Sequence, residues 1–177
     1  MPDMTFNTPK GQTIARKLLI LALNTGTKET PVWSPMGIRV TDSSAEMDWG
    51  KETYTDIFGN TYTHLKVPTI SQPFEPWPLV NGDAAQQKIW NVGIKDQNPQ
   101  ALASMDLLRI HAYAGTAETA VFAERYDTST IEITSLGGEG GGDLNMATNV
   151  TFGGQRTVGT AAVKDGQITF TADGAPA

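Results

Sequence analysis

Apolar residues recur at every second position in short runs through most of the chain, and Gly or Pro separates the runs. Such spacing sends successive side chains to opposite faces of an extended backbone, so it specifies strands and excludes a helical bundle. Residues 16–23 are the exception, a nearly unbroken apolar run of strand length read as a central strand, with Gly26, Pro31 and Pro35 punctuating the residues after it. Runs with strand character continue at 105–113, 120–126, 130–136 and 146–152, and Ile168 and Phe170 close the series. Leu108 and Ile110 are expected inward in the first of these, and Ile131 and Ile133 share one side of the third. This is the pattern of a mainly β chain, a sandwich or barrel.

One segment is expected to be helical. Asp83 can cap a first turn, with Gln86 in the capping-box position and Ala85, Ile89 and Val92 on one face. Gly93 weakens the segment, and Asn98-Pro99 ends it by about residue 97, giving a single flanking helix over 83–97.

The chain is 177 residues long, which suits a single domain able to bury roughly two-thirds of its extended surface. It has no cysteine, so neither disulfides nor thiolate metal sites are expected, and packing or neighbouring subunits must supply the stability. No stretch approaches the roughly 18 apolar residues of a membrane span, and the N-terminal pattern is not that of a signal peptide. A formal net charge of −6 leaves little for phosphate neutralisation, so tight nucleic-acid binding is not expected, although like charges let DNA pass without sticking.

Residues 45–75 read as a long β-hairpin. Met47 and Trp49 share one face of the outgoing strand, while Glu46, Asp48, Glu52 and Asp56 share the other with Tyr54. Phe58-Gly59-Asn60 forms the tip, and the returning strand places Leu65 and Val67 on one face, with Pro68 and Pro73 marking an edge or bend. The acidic face is read as a solvated strand face or, more sharply, as the lining of a channel. Residues 1–15 and 172–177 read as terminal arms.

Catalytic chemistry is poorly supplied. His64 and His111 sit within strand patterns, without a zinc-ligand pattern or nucleophile motif. The run Gly137–Gly142 has no Lys-Ser or Lys-Thr after it, and Glu139 would repel a phosphate, so it reads as a flexible hairpin connection. Trp33, Trp49, Trp77 and Trp90 lie in different elements, where core packing is the default. Trp77, in a proline-rich stretch that a regular strand cannot follow, is a candidate for a subunit interface. Neither enzyme activity nor a metal or other cofactor is expected.

Residues 17–37, from Lys17 through Asn24-Thr25-Gly26 to Trp33 and Gly37, resemble the opening of the major tail tube proteins of long-tailed phages and phage-like particles. In that family a strand, an Asn-Thr-Gly turn, a Trp and a Gly precede a long hairpin, one helix, paired strands, a Gly-Gly loop and a last pair. Here Gly137–Asp143, Val150–Gly159 and a closing strand over Val163–Phe170 look like the later parts. The resemblance implies a β-barrel or sandwich with one flanking helix, and six copies closing into rings that stack into a tube for DNA. It implies that Asp56, Ile57, Phe58, Gly59 and Asn60 reach the next ring, and that the arms join subunits. Its partners would be further copies of itself, the tape measure, terminator or baseplate proteins, and DNA held only in passing, with no membrane. Its place would be the virion tail, after synthesis in the host bacterial cytoplasm. A carbohydrate-binding β-sandwich of a secreted or virion-surface protein is the alternative reading.

Overall fold

The computed structural model describes residues 3–174, and the ends of both expected arms, residues 1–2 and 175–177, lie outside the described residues. Eleven strands are present among the described residues, and the fold is mainly antiparallel β with one principal helical stretch. The strands are β1 (Leu19–Asn24), β2 (Trp33–Pro35), β3 (Glu46–Asp48), β4 (Glu52–Thr55), β5 (Thr61–His64), β6 (Thr69–Phe74), β7 (Met105–Thr116), β8 (Ala120–Gly137), β9 (Asn145–Thr151), β10 (Arg156–Lys164) and β11 (Gln167–Ala172). One sheet runs β2-β1-β7-β8-β9-β6-β3, with β10 also paired to β8 and β11 to β10, while β4 and β5 form a separate two-stranded sheet.

The long strand β8 organises this arrangement. The sequence divides it into two strands, 120–126 and 130–136, but the backbone continues through the bend between them. Its first half pairs with β7 and β10 and its second half with β9. Gly153 and Gly154 allow the bend to be covered closely. A Cβ on Gly154 would lie 2.3 Å from Asp127 Oδ1 and 2.7 Å from the Thr128 backbone nitrogen.

Two cores result. Strands β2, β1, β7, β8, β10 and β11 follow one another until β11 comes back beside β2. Within this curl lie Ala22, Trp33, Leu108, Ile110, Val121, Ala123 and Ala161, with Ile20, Val163, Ile168 and Phe170 packed against them. The other core lies against the second half of β8, β9 and β6, and holds Leu21, Leu23, Leu107, Ile131, Met146, Val150, Phe74 and Trp77. Strand β1 contributes to both, alternate residues going to opposite sides, which is why its apolar run is unbroken.

Helix α1 (Ala84–Trp90) is capped as its sequence predicts, with Asp83 Oδ1 accepting from the Gln86 amide at 3.0 Å. Gln86 does not complete the box. Its side chain accepts from the Val80 amide at 2.7 Å and donates to the Pro78 carbonyl at 2.7 Å, tying the incoming loop to the helix. A π-helical turn at Asn91–Lys95 continues α1, and a short α2 (Pro99–Leu102) comes after it. Gly93 lets this stretch sit close to β8, because a Cβ there would meet the Ile133 side chain at 2.4 Å.

The closing segment differs from its reading as one strand over 163–170. Asp165 and Gly166 both have positive φ, 52° and 77°, and turn β10 into β11 as a two-residue hairpin. Asp-Gly is among the strongest sequence signals for such a turn. In the expected N-terminal arm, Phe6 bridges to Ala114, and the Asn7 amide donates to the Tyr113 carbonyl at 2.9 Å.

Candidate assembly surface

The long hairpin exists, but it changes character along its length. At its base β3 pairs with β6 in the large sheet, Asp48 opposite Thr69. Beyond the base, among the described residues, β4 pairs only with β5, Glu52 opposite His64. The returning strand therefore carries one more residue than the outgoing strand between these pairs, a bulge of the kind that re-aims a ribbon. Gly50 sits at the kink with φ +50°, and the Lys66 amide donates to the Trp49 carbonyl at 2.8 Å across it. Strict alternation belongs to regular extended backbone and ends at such a residue. The four acidic residues thus do not lie along one regular strand: Glu46 and Asp48 belong to the large sheet, Glu52 to the ribbon and Asp56 to its turn.

Each of the last three carboxylates has a local partner. Asp48 accepts from the Gly50 amide at 2.9 Å, and Glu52 pairs with Lys66. Asp56 holds the tip together. Its Oδ1 accepts from the amides of Phe58 and Asn60, each at 2.9 Å, and its Oδ2 accepts from Asn60 Nδ2 at 3.0 Å and the Tyr62 hydroxyl at 3.2 Å. The hydrogen bonds from the Asn60 side chain and amide hold this carboxyl below its usual range, so it is ionised at neutral pH. Gly59, with φ +84°, completes the turn, and its amide donates to the Asp56 carbonyl at 3.0 Å.

A turn so well braced presents Ile57 and Phe58, which are 94% and 84% exposed. Along the ribbon Tyr54 stacks on Tyr62 at 5.4 Å and on His64 at 5.3 Å, while Thr53–Thr63 and Thr55–Thr61 hydroxyl pairs form a ladder. Leu65 and Val67, expected to share one face of the returning strand, are both exposed as well. An isolated two-stranded hairpin is at best marginally stable in water, and among the described residues nothing covers its apolar tip.

Trp77 is not an interface residue. It is fully buried, 5.2 Å from the Phe74 ring, because the proline-rich stretch folds inward beneath β9 instead of running along an edge. Trp33 is buried too, and Trp49 and Trp90 are exposed on separate elements, so the tryptophans form no shared platform.

Sequence reasoning missed a buried ionic cluster. Glu124 on β8 meets His111 Nε2 at 2.9 Å, accepts from Arg156 Nε at 2.6 Å and from the Tyr126 hydroxyl at 3.1 Å, and lies 3.8 Å from Arg109. Burial pushes the Glu124 carboxyl up, but the hydrogen bonds from His111 and Arg156 outweigh it and hold the pKa at about 2. Burial, together with the Glu124 charge, pushes the Tyr126 hydroxyl up to about 12. The available signal was Arg109 inside the apolar run of β7, followed in the next strand by Glu124. The cluster crosslinks β7, β8 and β10. Among the described residues no group of three or more His, Cys, Asp or Glu could hold a metal ion.

No family model matches the chain, and no curated protein matches it. Several solved chains are similar to it, three of them from an extracellular contractile injection system and the anti-feeding prophage. A sheath/tube terminator of an extracellular contractile injection system, PVC, in the extended state shares 11% identity at a TM-score of 0.49, over 85% of this chain and 99% of that one. The tube terminating cap of the anti-feeding prophage, AFP, shares 15% identity at 0.45, over 94% and 95%. A chain of the PVC sheath-tube complex in the extended state shares 10% at 0.45, over 92% and 94%. The functional reading of this chain therefore rests on its own surface.

Proposed function

We propose that this chain is a structural subunit of a phage-tail-like particle and, more narrowly, a tail tube subunit. Its copies close into rings, six to a ring by the resemblance in sequence, and the rings stack around a channel for DNA. The observation that carries this reading is the ribbon of residues 52–64, which among the described residues pairs with no other strand and ends in two exposed apolar side chains on a braced turn. Exposed strand edges are a hazard for a monomer and a resource for an assembly. Strands β2 and β3, which end the sheet, are such edges.

A contact between two different surfaces of the same chain closes by rotation into a ring or repeats by translation into a tube. In that arrangement Glu46 and Asp48 contribute negative charge to a lumen or rim that DNA phosphates slide past, with Glu52 beside them in its pair with Lys66, while Asp56 shapes the tip. Tape measure, terminator or baseplate proteins would be the further partners, and the virion tail the destination. The carbohydrate-binding reading draws on one observation, the exposed stack of Tyr54, Tyr62 and His64.

Negative-stain electron microscopy with light scattering, over a range of concentrations, separates these readings. Rings that stack into hollow tubes are expected. Rings that never stack would assign the chain to the end of a tube, and a persistent monomer that binds glycans would replace the proposal.

A further inference from the structure

The curl of strands around Ala22, Trp33, Leu108 and Ile110 leaves an open seam. Strand β11 comes beside β2 without pairing to it, and a cavity of about 480 Å³ opens between the β1–β2 side and the β10–β11 hairpin. Its walls are mainly apolar, with Ile20, Met36, Ile38, Val163 and Ile168 among them and Thr41, Ser43 and Gln72 the uncharged polar residues, and its volume is within the roughly 300–1,000 Å³ of ligand-sized pockets. Arg16 and Lys17 also line it. Arg16 is fixed in place, donating from Nη1 to the Leu19 carbonyl at 2.7 Å and from Nη2 to the Ser43 carbonyl at 2.6 Å. The site is thus an apolar recess beside fixed positive charge.

The ribbon tip has the complementary features. Ile57 and Phe58 project as an apolar knob, and the ionised Asp56 carboxylate lies beside them. We infer that this cavity receives the Ile57–Phe58 tip of a second copy of the chain, with Asp56 approaching Arg16 and Lys17. This rests on the tube reading and names the surface that the hairpin tip meets there. Knob and recess are different surfaces, so the contact leaves one of each free on every pair and propagates. A two-residue knob falls far short of the roughly 1,000 Å² that a stable pairwise interface buries, so a lone pair dissociates. A ring presents several knobs at once, and the contacts then reinforce one another.

The chain lacks cysteine, so engineered thiols report this contact without background. In the full-length protein, Ile57→Cys together with Ile38→Cys places one thiol on the knob and one on the recess, both at exposed positions. Mild oxidation at concentrations where the unaltered protein assembles should give a ladder of covalent oligomers on a non-reducing gel. Ile57→Cys with Leu136→Cys, which moves the second thiol to an exposed position away from the recess, should give none. Assembly without the 57–38 ladder, or a ladder from the control pair, overturns the recess while leaving the tube reading intact. Failure of the unaltered protein to assemble at any concentration overturns both. As a second measurement, Ile38→Glu should raise the concentration needed for assembly at least tenfold, and an unchanged threshold contradicts the inference.

Discussion

The corner at Asn24 and the tip at Asp56 are both built by one polar side chain folding a turn around itself, yet they face opposite conditions. Asn24 is buried and uses its full hydrogen-bonding capacity. Its Oδ1 accepts from the amides of Gly26 at 2.9 Å and Val32 at 3.0 Å, and its Nδ2 donates to the Thr27 carbonyl at 2.8 Å and to Asp106 at 2.9 Å. Asp106 in turn pairs with Arg125, which lies over the Trp33 ring at 5.6 Å, and Lys88 donates to the Asn24 carbonyl at 2.6 Å. The corner thereby joins β1, β2, β7, β8 and α1 and leaves nothing for a neighbour. The tip satisfies its polar groups equally well, but it holds its apolar groups out to solvent. Polar closure with apolar burial marks a part that serves the fold, and polar closure with apolar exposure marks a part that serves another molecule.

Substitutions sharpen this contrast, and the largest effect is expected at the corner. Asn24→Ala removes four hydrogen bonds from a buried side chain, leaving the Gly26 and Val32 amides and the Asp106 carboxylate each short of a partner, and should cost about 4 kcal/mol in a urea melt. A loss under about 1 kcal/mol would remove the corner from its central place in the fold. Glu124→Gln should come next at about 3 kcal/mol, since it leaves Arg156 and Arg109 facing a neutral group.

The acid limb of stability tests the same cluster. The Glu124 pKa is lowered from 4.5 to about 2 on folding, so its contribution is fully present above pH 4.5 and is lost as pH falls through about 2. The Gln variant should show a shallower loss of stability across that window, and identical slopes would contradict the assignment.

One substitution made twice compares the regions directly. Gly26→Ala would put a Cβ 2.4 Å from the Thr30 carbonyl oxygen, within a corner that cannot relax, and should cost about 2 kcal/mol. Gly59→Ala meets nothing within 4 Å, so only its left-handed backbone resists, at about 1 kcal/mol and confined to the ribbon. Amide exchange should show the first spreading through β1 and β2, and the second ending at residues 52–64. The smallest effect on stability belongs to the tip, where Ile57→Ser with Phe58→Ser should change the melt by less than about 0.5 kcal/mol.

Much of this was legible from residues alone. Period-two runs gave the strands, Asp83 gave the helix cap, and Phe58-Gly59-Asn60 gave the hairpin tip, because each depends on local chemistry. The failures share a cause in tertiary context. Whether 120–126 and 130–136 join depends on what covers the bend, here Gly153 and Gly154. Whether Trp77 faces a neighbour or the core depends on where β9 lies. The common face assigned to Glu46, Asp48, Glu52 and Asp56 assumed an unbroken strand, and one glycine of positive φ was enough to end it.

The most direct test of the account is sedimentation velocity on the unaltered protein and the Ile57→Ser, Phe58→Ser variant, at matched concentrations and with melts on the same samples. The account predicts large assemblies for the first and only monomers or isolated rings for the second, with indistinguishable melts. Assembly of the variant into tubes like those of the unaltered protein would contradict it.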